Sequence, residues 1–291
     1  MNSLSLKSPA KLNLYLKVIG KLPSGYHELV TLFHRISLCD TIHIQKTSKP
    51  FQLMCSSKKL SCGEDNLITQ SYRLLQKKIP GLSGVRVHLK KRIPMGGGLG
   101  GGSSNAAFFL LGMKRLFKLK ISKKDLLAMG KKLGADVPFF LYEVNQAIGK
   151  GIGDRIVPQL CRRRQNFVLV LSPESLSTPQ VYRKLPSLPQ ASLTKIGRVV
   201  RILAGKLDRG GDFQSKRLLH NDLELSAFSL RPSIQEIIST LHHLGIKTAG
   251  MSGSGPSVFA IFPSQDQARK MARKIKRIVP AGHKILVCRT Y

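Results

Sequence analysis

Between Gly96 and Gly102, six of seven consecutive residues are glycine. In the interior of a helix or strand each glycine costs about 0.5–1 kcal/mol relative to alanine, so the segment must be a loop that something requires. Val85, Val87 and Leu89 alternate before it as in a half-buried strand, and Ser103 to Leu119 carries apolar residues at helical spacing after it. A glycine loop between a strand and a helix lets main-chain N–H groups come close to an anion. Ser103, Ser104 and Asn105 add donors at a helix N-terminus whose dipole favours negative charge. The stretch Pro94 to Ala107, PMGGGLGGGSSNAA, therefore reads as a phosphate cradle. A linker or tight turn is the competing reading, but linkers are seldom bracketed by a strand and a helix. Gly96, Gly98 and Gly101 formally satisfy GxGxxG, a weak pattern in so glycine-rich a segment, and the N-terminal βαβ unit it needs is missing. No Lys-Ser or Lys-Thr follows the glycines, as a Walker loop needs, and no HRD or DFG element follows, as a protein kinase needs.

Around this loop the pattern is mixed. Residues 11 to 19, 41 to 46 and 167 to 171 read as strands. Ser122 with Asp125 opens a second helix that Gly134 ends. Later helices are expected at about 194 to 206, 216 to 228, 232 to 244 and 265 to 279, with strands at 247 to 250, 257 to 262 and 284 to 289. Glycines cluster again at Gly149 to Gly153, and a boundary near 155 would divide the chain into domains 1–155 and 156–291. This order suits an α+β architecture with helices layered on antiparallel sheet.

The chain has 48 Lys and Arg against 15 Asp and Glu among 291 residues, a formal charge of +33. Such a field draws in anions, nucleotides and nucleic acid alike. Zinc-finger spacing, an RNA-binding aromatic signature and tryptophan are all missing, so specific nucleic-acid binding is the minor reading. The five cysteines form no CxxC pair and read as reduced packing thiols. Lys7, Lys11 and Lys17 interrupt the first twenty residues, and the longest apolar run, Ala106 to Leu111, is too short for a bilayer. A cytoplasmic location is the expectation.

Three further places invite chemistry. Asp136 follows a helix-ending glycine, precedes Pro138 and lies among apolar residues; it is either a turn cap or a carboxylate placed to act. Lys11 and Asn13 share one face of a strand whose other face carries Leu12 and Leu14. Tyr26 and His27 follow Gly25 in a loop, where they could offer an aromatic base a stacking surface and hydrogen bonds.

Taken together, SPAKLNLYLKV (Ser8 to Val18), the glycine stretch and GMSGSGPSVFAIF (Gly250 to Phe262) resemble, in order, the three hallmark segments of the GHMP kinases. SGYHEL (Ser24 to Leu29), EDNLI (Glu64 to Ile68), LGADVPFFL (Leu133 to Leu141) and HNDLE (His220 to Glu224) are similar to the branch whose acceptor is 4-diphosphocytidyl-2-C-methyl-D-erythritol, on the non-mevalonate route to isoprenoids. The resemblance implies a two-domain GHMP fold, with an N-terminal domain like ribosomal protein S5 and a C-terminal ferredoxin-like plait. It implies ATP with Mg2+ as co-substrate, no tightly bound cofactor, and transfer of phosphate to the acceptor's 2-hydroxyl.

By the same resemblance Asp136 is the catalytic base, and Lys11 lies beside it to stabilise the transferring phosphoryl group. Adenine falls near Asn66, Leu67 and Lys91, with Pro94 also in the ATP site and phosphates on Gly96, Gly97, Gly98, Gly100, Gly101, Gly102, Ser103 and Ser104. Asn13, Gly253 and Ser254 face the acceptor. Tyr26 and His27 read its cytidine, with Tyr182 as the opposite wall. The resemblance singles out no magnesium ligand. The alternatives are another GHMP kinase, of homoserine or mevalonate type, or a basic nucleic-acid-binding protein that keeps the fold.

Overall fold

A computed structural model describes residues 2–186, 192–209 and 219–291. The chain runs through β1 (Ser3–Lys21), β2 (His27–Lys46), β3 (Gln52–Cys55), α1 (Leu67–Lys78), β4 (Val85–Lys90), α2 (Gly101–Leu116), α3 (Lys123–Leu133) and α4 (Val137–Leu141). It continues through β5 (Gln146–Lys150), β6 (Arg155–Gln159), β7 (Asn166–Leu171), α5 (Thr178–Arg183), α6 (Leu193–Arg209), β8 (His220–Asn221), α7 (Glu224–Leu230) and α8 (Pro232–His243). It ends with β9 (Ala249–Met251), β10 (Val258–Phe262), α9 (Gln265–Ile278) and β11 (Lys284–Arg289). Mixed helix and sheet bear out the α+β reading.

Two compact units share these elements: residues 1–10, 38–93 and 100–143 in the first, 11–37, 94–99 and 144–291 in the second. The long strands β1 and β2 pass through both, and the glycine loop changes unit between Leu99 and Gly100.

In the first unit β2 pairs antiparallel with β4, from Thr41 opposite Lys90 to Lys46 opposite Val85, and β3 lies parallel to β4. α2 is the central helix, with every residue from Ser104 to Met113 buried. Gly112 lets it lie close on the sheet, because a Cβ there would come 2.7 Å from Leu6 Cδ1 and from Ile44 Cδ1. Asn66 caps α1 by accepting from Ile68 N, and Ser122 caps α3 by accepting from Asp125 N. Gly134 ends α3 as expected.

In the second unit β5 pairs with β2 and with β6, and β8 runs parallel to β1 at Tyr15 and Leu16. A separate four-stranded antiparallel sheet has the order β11-β7-β10-β9. Val168, Val170, Val258 and Ala260 from that sheet bury against Ile234, Ile237 and Leu241 of α8 and Ala268 and Ile275 of α9. Leu16 and Val18 of β1 join the same core.

The helix expected at 216 to 228 is different. Residues 216–218 lie outside the described residues, 220–221 form β8, and the helix begins at Glu224. Asn221 turns the chain by accepting from Leu223 N, a local bond that competes with helix. The strand at 41 to 46 is the end of a much longer one that starts at His27. Among the described residues no helix is long and apolar enough to cross a membrane.

Candidate active site

The glycine loop, which belongs to the second unit as far as Leu99, delivers the chain into α2 of the first. Gly96, Gly98 and Gly100 alternate at φ of 63°, 72° and 66°, in the left-handed region that suits glycine. Gly100 caps α2 without a side chain, so the helix presents main-chain N–H groups rather than a capping oxygen. Gly101 has no positive φ; it is glycine because a Cβ would lie 2.9 Å from Ile93 Cγ2 and 3.2 Å from Lys91 Nζ. Leu67 stands next to Gly102, 3.6 Å from where a Cβ would be, and Gly134 lies near Ser103 in the same way, at 3.9 Å from its Oγ.

Beneath this helix start lies a buried polar network that the sequence reading missed. Asp40, fully buried in β2, accepts from Arg92 N at 2.6 Å, Ile93 N at 2.9 Å and Asn105 Nδ2 at 2.9 Å, and ion-pairs with Lys91 Nζ. Asn105 also donates to Ser8 Oγ at 3.0 Å, and Ser8 Oγ meets Ser104 Oγ at 2.7 Å. The chain entering the glycine loop and the first turn of α2 are thus tied to one carboxylate. The available signal was a lone acid in the run SLCDTIHI, where Leu38, Ile42 and Ile44 alternate as in a half-buried strand. Two expected nucleotide contacts have structural duties here: Lys91 Nζ serves Asp40, and Asn66 accepts from Ile68 N and donates to Ser61 O at 2.7 Å.

Asp136, half-buried, stands at the cap position of α4 with Pro138 in the first turn, yet its side chain makes no capping bond.

In the second unit Lys11 is 4% exposed and donates from Nζ to Asn13 Oδ1 at 2.5 Å, so the two polar residues of one strand face do meet. Asn13 Nδ2 donates to Thr31 Oγ1 at 2.8 Å, and Thr31 Oγ1 to Tyr15 O at 2.7 Å. Ser252 Oγ accepts from Asn13 N at 3.2 Å and donates to Gly98 O at 3.1 Å, tying the third hallmark segment to β1 and to the glycine loop. Gly253 belongs to this cluster: a Cβ there would sit 3.0 Å from Asn13 Oδ1 and 3.3 Å from Lys11 Nζ. Ser254 Oγ meets Thr178 Oγ1 at 2.7 Å. Thr31, Ser252 and Thr178 escaped the sequence reading because hydroxyl residues are common and carry no local signal. Pro94 and Gly97 are adjacent, a Cβ on Gly97 falling 3.4 Å from Pro94 Cβ.

Tyr26 and His27 follow a turn closed by Gly25 N donating to Leu22 O at 2.9 Å. Tyr26 is 63% exposed, whereas His27 opens β2 and stacks on Tyr182 at 5.2 Å between ring centroids and 30° between planes. Burial and the nearby Lys21 ammonium hold the His27 imidazole below its ordinary pKa, which keeps it neutral at pH 7.

The sequence profile of the GHMP kinases N terminal domain matches residues 66–143, and that of the GHMP kinases C terminal region matches residues 208–281. The chain is 38% identical over 268 residues to the 4-diphosphocytidyl-2-C-methyl-D-erythritol kinase of Syntrophus aciditrophicus, covering 92% of each. It is 32% identical to a crystal structure of 4-(cytidine 5'-diphospho)-2C-methyl-D-erythritol kinase, with a TM-score of 0.78 over 98% of this chain and 99% of that one. Homoserine kinase from Cytophaga hutchinsonii, 18% identical, shares the fold at a TM-score of 0.73, covering 100% of this chain and 95% of that one. This is the fold of an ATP-dependent small-molecule kinase. The chain belongs to the GHMP kinase family, in the branch of the 4-diphosphocytidyl-2-C-methyl-D-erythritol kinases.

Proposed function

We propose that this chain transfers the γ-phosphoryl group of ATP to the 2-hydroxyl of 4-diphosphocytidyl-2-C-methyl-D-erythritol. The observation that carries the reading is the buried Lys11–Asn13 pair held against Gly253, read together with the chain's family. Asp136 takes the hydroxyl proton while the oxygen attacks the γ-phosphorus and ADP leaves. Lys11 offsets charge developing on the transferring group, which is worth most where water is scarce. Asn13, Gly253 and Ser254 hold the acceptor's sugar-alcohol end. His27, neutral and braced by Tyr182, reads the ring edge of cytosine, and Tyr26 covers its face.

ATP lies with its adenine near Asn66, Leu67 and Lys91, with Pro94 also in the site and its phosphates on Gly96 to Ser103. The N–H groups at the start of α2, with Ser103, act as donors to phosphate oxygen, while Ser104, expected among them, is fully buried with its Oγ on Ser8 and supports the helix start instead. Magnesium accompanies ATP in this reading. Among the described residues no three His, Cys, Asp or Glu gather as a metal cage. Magnesium keeps waters and phosphate oxygens and would need one or two carboxylates at most; when bound it would supply charge neutralisation. The reading assigns residues 1–155 to ATP binding and catalysis and has 156–291 complete the substrate site, in a cytoplasmic enzyme with no specific nucleic-acid partner.

The deciding experiment measures ADP release with 4-diphosphocytidyl-2-C-methyl-D-erythritol, homoserine and mevalonate as acceptors, and with the uridine analogue of the first. Turnover confined to the cytidine acceptor is expected. Equal use of cytidine and uridine forms removes His27 as the base reader, and preference for homoserine or mevalonate overturns the assignment.

A further inference from the structure

The segment HNDLE, His220 to Glu224, has no part in the chemistry proposed above, yet its side chains reach the back of the loop that carries Gly253. Asn221, 7% exposed, donates one amide hydrogen to Met251 O at 2.9 Å and the other to Gly253 O at 2.8 Å. Its Oδ1 accepts from Leu223 N at 3.0 Å, which fixes the amide's orientation. Glu224 Oε1 accepts from Met251 N at 2.9 Å. Beside these ties lies a cavity of about 140 Å³, lined among others by Asn221, Glu224, His242, Met251 and Phe259. A loop backed by close-packed atoms is held by shape. Where this cavity borders Met251, packing is missing on that side and the hydrogen bonds add to what holds the loop. On its other side the loop meets β1, where Ser252 Oγ accepts from Asn13 N at 3.2 Å and a Cβ added to Gly253 would crowd Asn13 Oδ1 and Lys11 Nζ.

We infer that Asn221 is a positioning residue. Its two amide hydrogens, with Glu224 as a second tie, hold loop 251–255 beside the cavity so that the Gly253 main chain stays against Lys11 and Asn13. The inference rests on the reading of Lys11 as a catalytic residue. Asn221→Ala removes the donors to two carbonyls. Asn221→Asp keeps the size but turns acceptor lone pairs on both, so it fails in the same way. Glu224→Gln keeps an oxygen for Met251 N and preserves the second tie.

The test uses the full chain and measures kcat, KM for ATP, melting temperature and hydrogen exchange of the amides at 251–258. A misplacement near 1 Å at a reacting group costs on the order of 100-fold, so Asn221→Ala and Asn221→Asp are expected to lower kcat roughly 10- to 100-fold, with KM for ATP within about twofold. Exchange should quicken in that loop, and Glu224→Gln should behave as the unmodified protein. If Asn221→Ala melts earlier while its folded fraction keeps full kcat, the clamp is structural only and the proposal is overturned; unchanged exchange in the loop overturns it too. Should Asn221→Ala fail to fold, Glu224→Ala carries the same readouts, with a lowered kcat expected and an unchanged one against the proposal. If the unmodified chain does not phosphorylate the cytidine acceptor, the proposed function fails, while exchange in the variants still decides whether Asn221 holds the loop.

Discussion

Asp136 stands at the N-cap position of α4 without a side-chain cap bond to that helix, and the proposed function makes its carboxylate the base. Asp136→Asn should therefore keep the fold and ATP binding but lower kcat by roughly 100-fold or more, since an amide cannot take the hydroxyl proton. Near-normal turnover by the purified variant would remove it as the base. His34 makes a different prediction. It is fully buried, its Nε2 lies 2.9 Å from Thr290 Oγ1, and burial pushes its pKa down from 6.5 to about 4. The unfolded chain takes up this proton first as pH falls. Stability is thus complete above about 6.5 and declines toward pH 4, by on the order of 3 kcal/mol over that window. Urea unfolding at several pH values should show the decline, and His34→Gln should flatten it; an equal slope in the variant would assign the effect to other groups. Asp136 and Lys11 were legible as residues because their neighbours made them odd. Asp40 and Asn221 were not, since what marks them is the set of donors and acceptors that distant segments bring.

The glycine loop was readable as an element, because so many glycines between strand and helix admit few explanations. Which glycine does what was not readable. Gly98 has φ of 72°, and a Cβ there would come 2.1 Å from Ser252 O and 3.0 Å from Gly255 N. Gly81 has a similar φ of 78° with nothing within 4 Å. Left-handed backbone costs a non-glycine residue about 1–2 kcal/mol, so Gly81→Ala should lose roughly that amount and keep full activity. Gly98→Ala adds a collision between main chains, and should lose more stability together with ATP binding. Calorimetric melting and nucleotide titration of the pair would show it; equal losses would mean that the loop yields without consequence. The helix misread at 216 to 228 failed for a related reason. Its apolar spacing is real, but pairing of β8 with β1 and the Asn221 bond to Leu223 N claim residues 220–223.

At the scale of the whole molecule the charge of +33 sets behaviour that no single contact explains. Like charges repel in the folded chain, and salt screens them over about 10 Å at 0.1 M. The melting temperature should rise between about 0.01 M and about 0.15 M sodium chloride, while the association rate of a fluorescent ATP analogue falls. A melting temperature that does not move would show that the cations are spaced widely enough not to interact. Class, family and the main elements were within reach of residues read in order, because periodicity, glycine content and hallmark segments are local properties of a chain. The partners of buried polar groups were out of reach. Asp40 with Arg92, Ile93 and Asn105, and Asn221 with Met251 and Gly253, join positions 30 or more residues apart in every one of these bonds. A hydrogen bond depends on distances of a few tenths of an ångström, and only the folded backbone sets those distances.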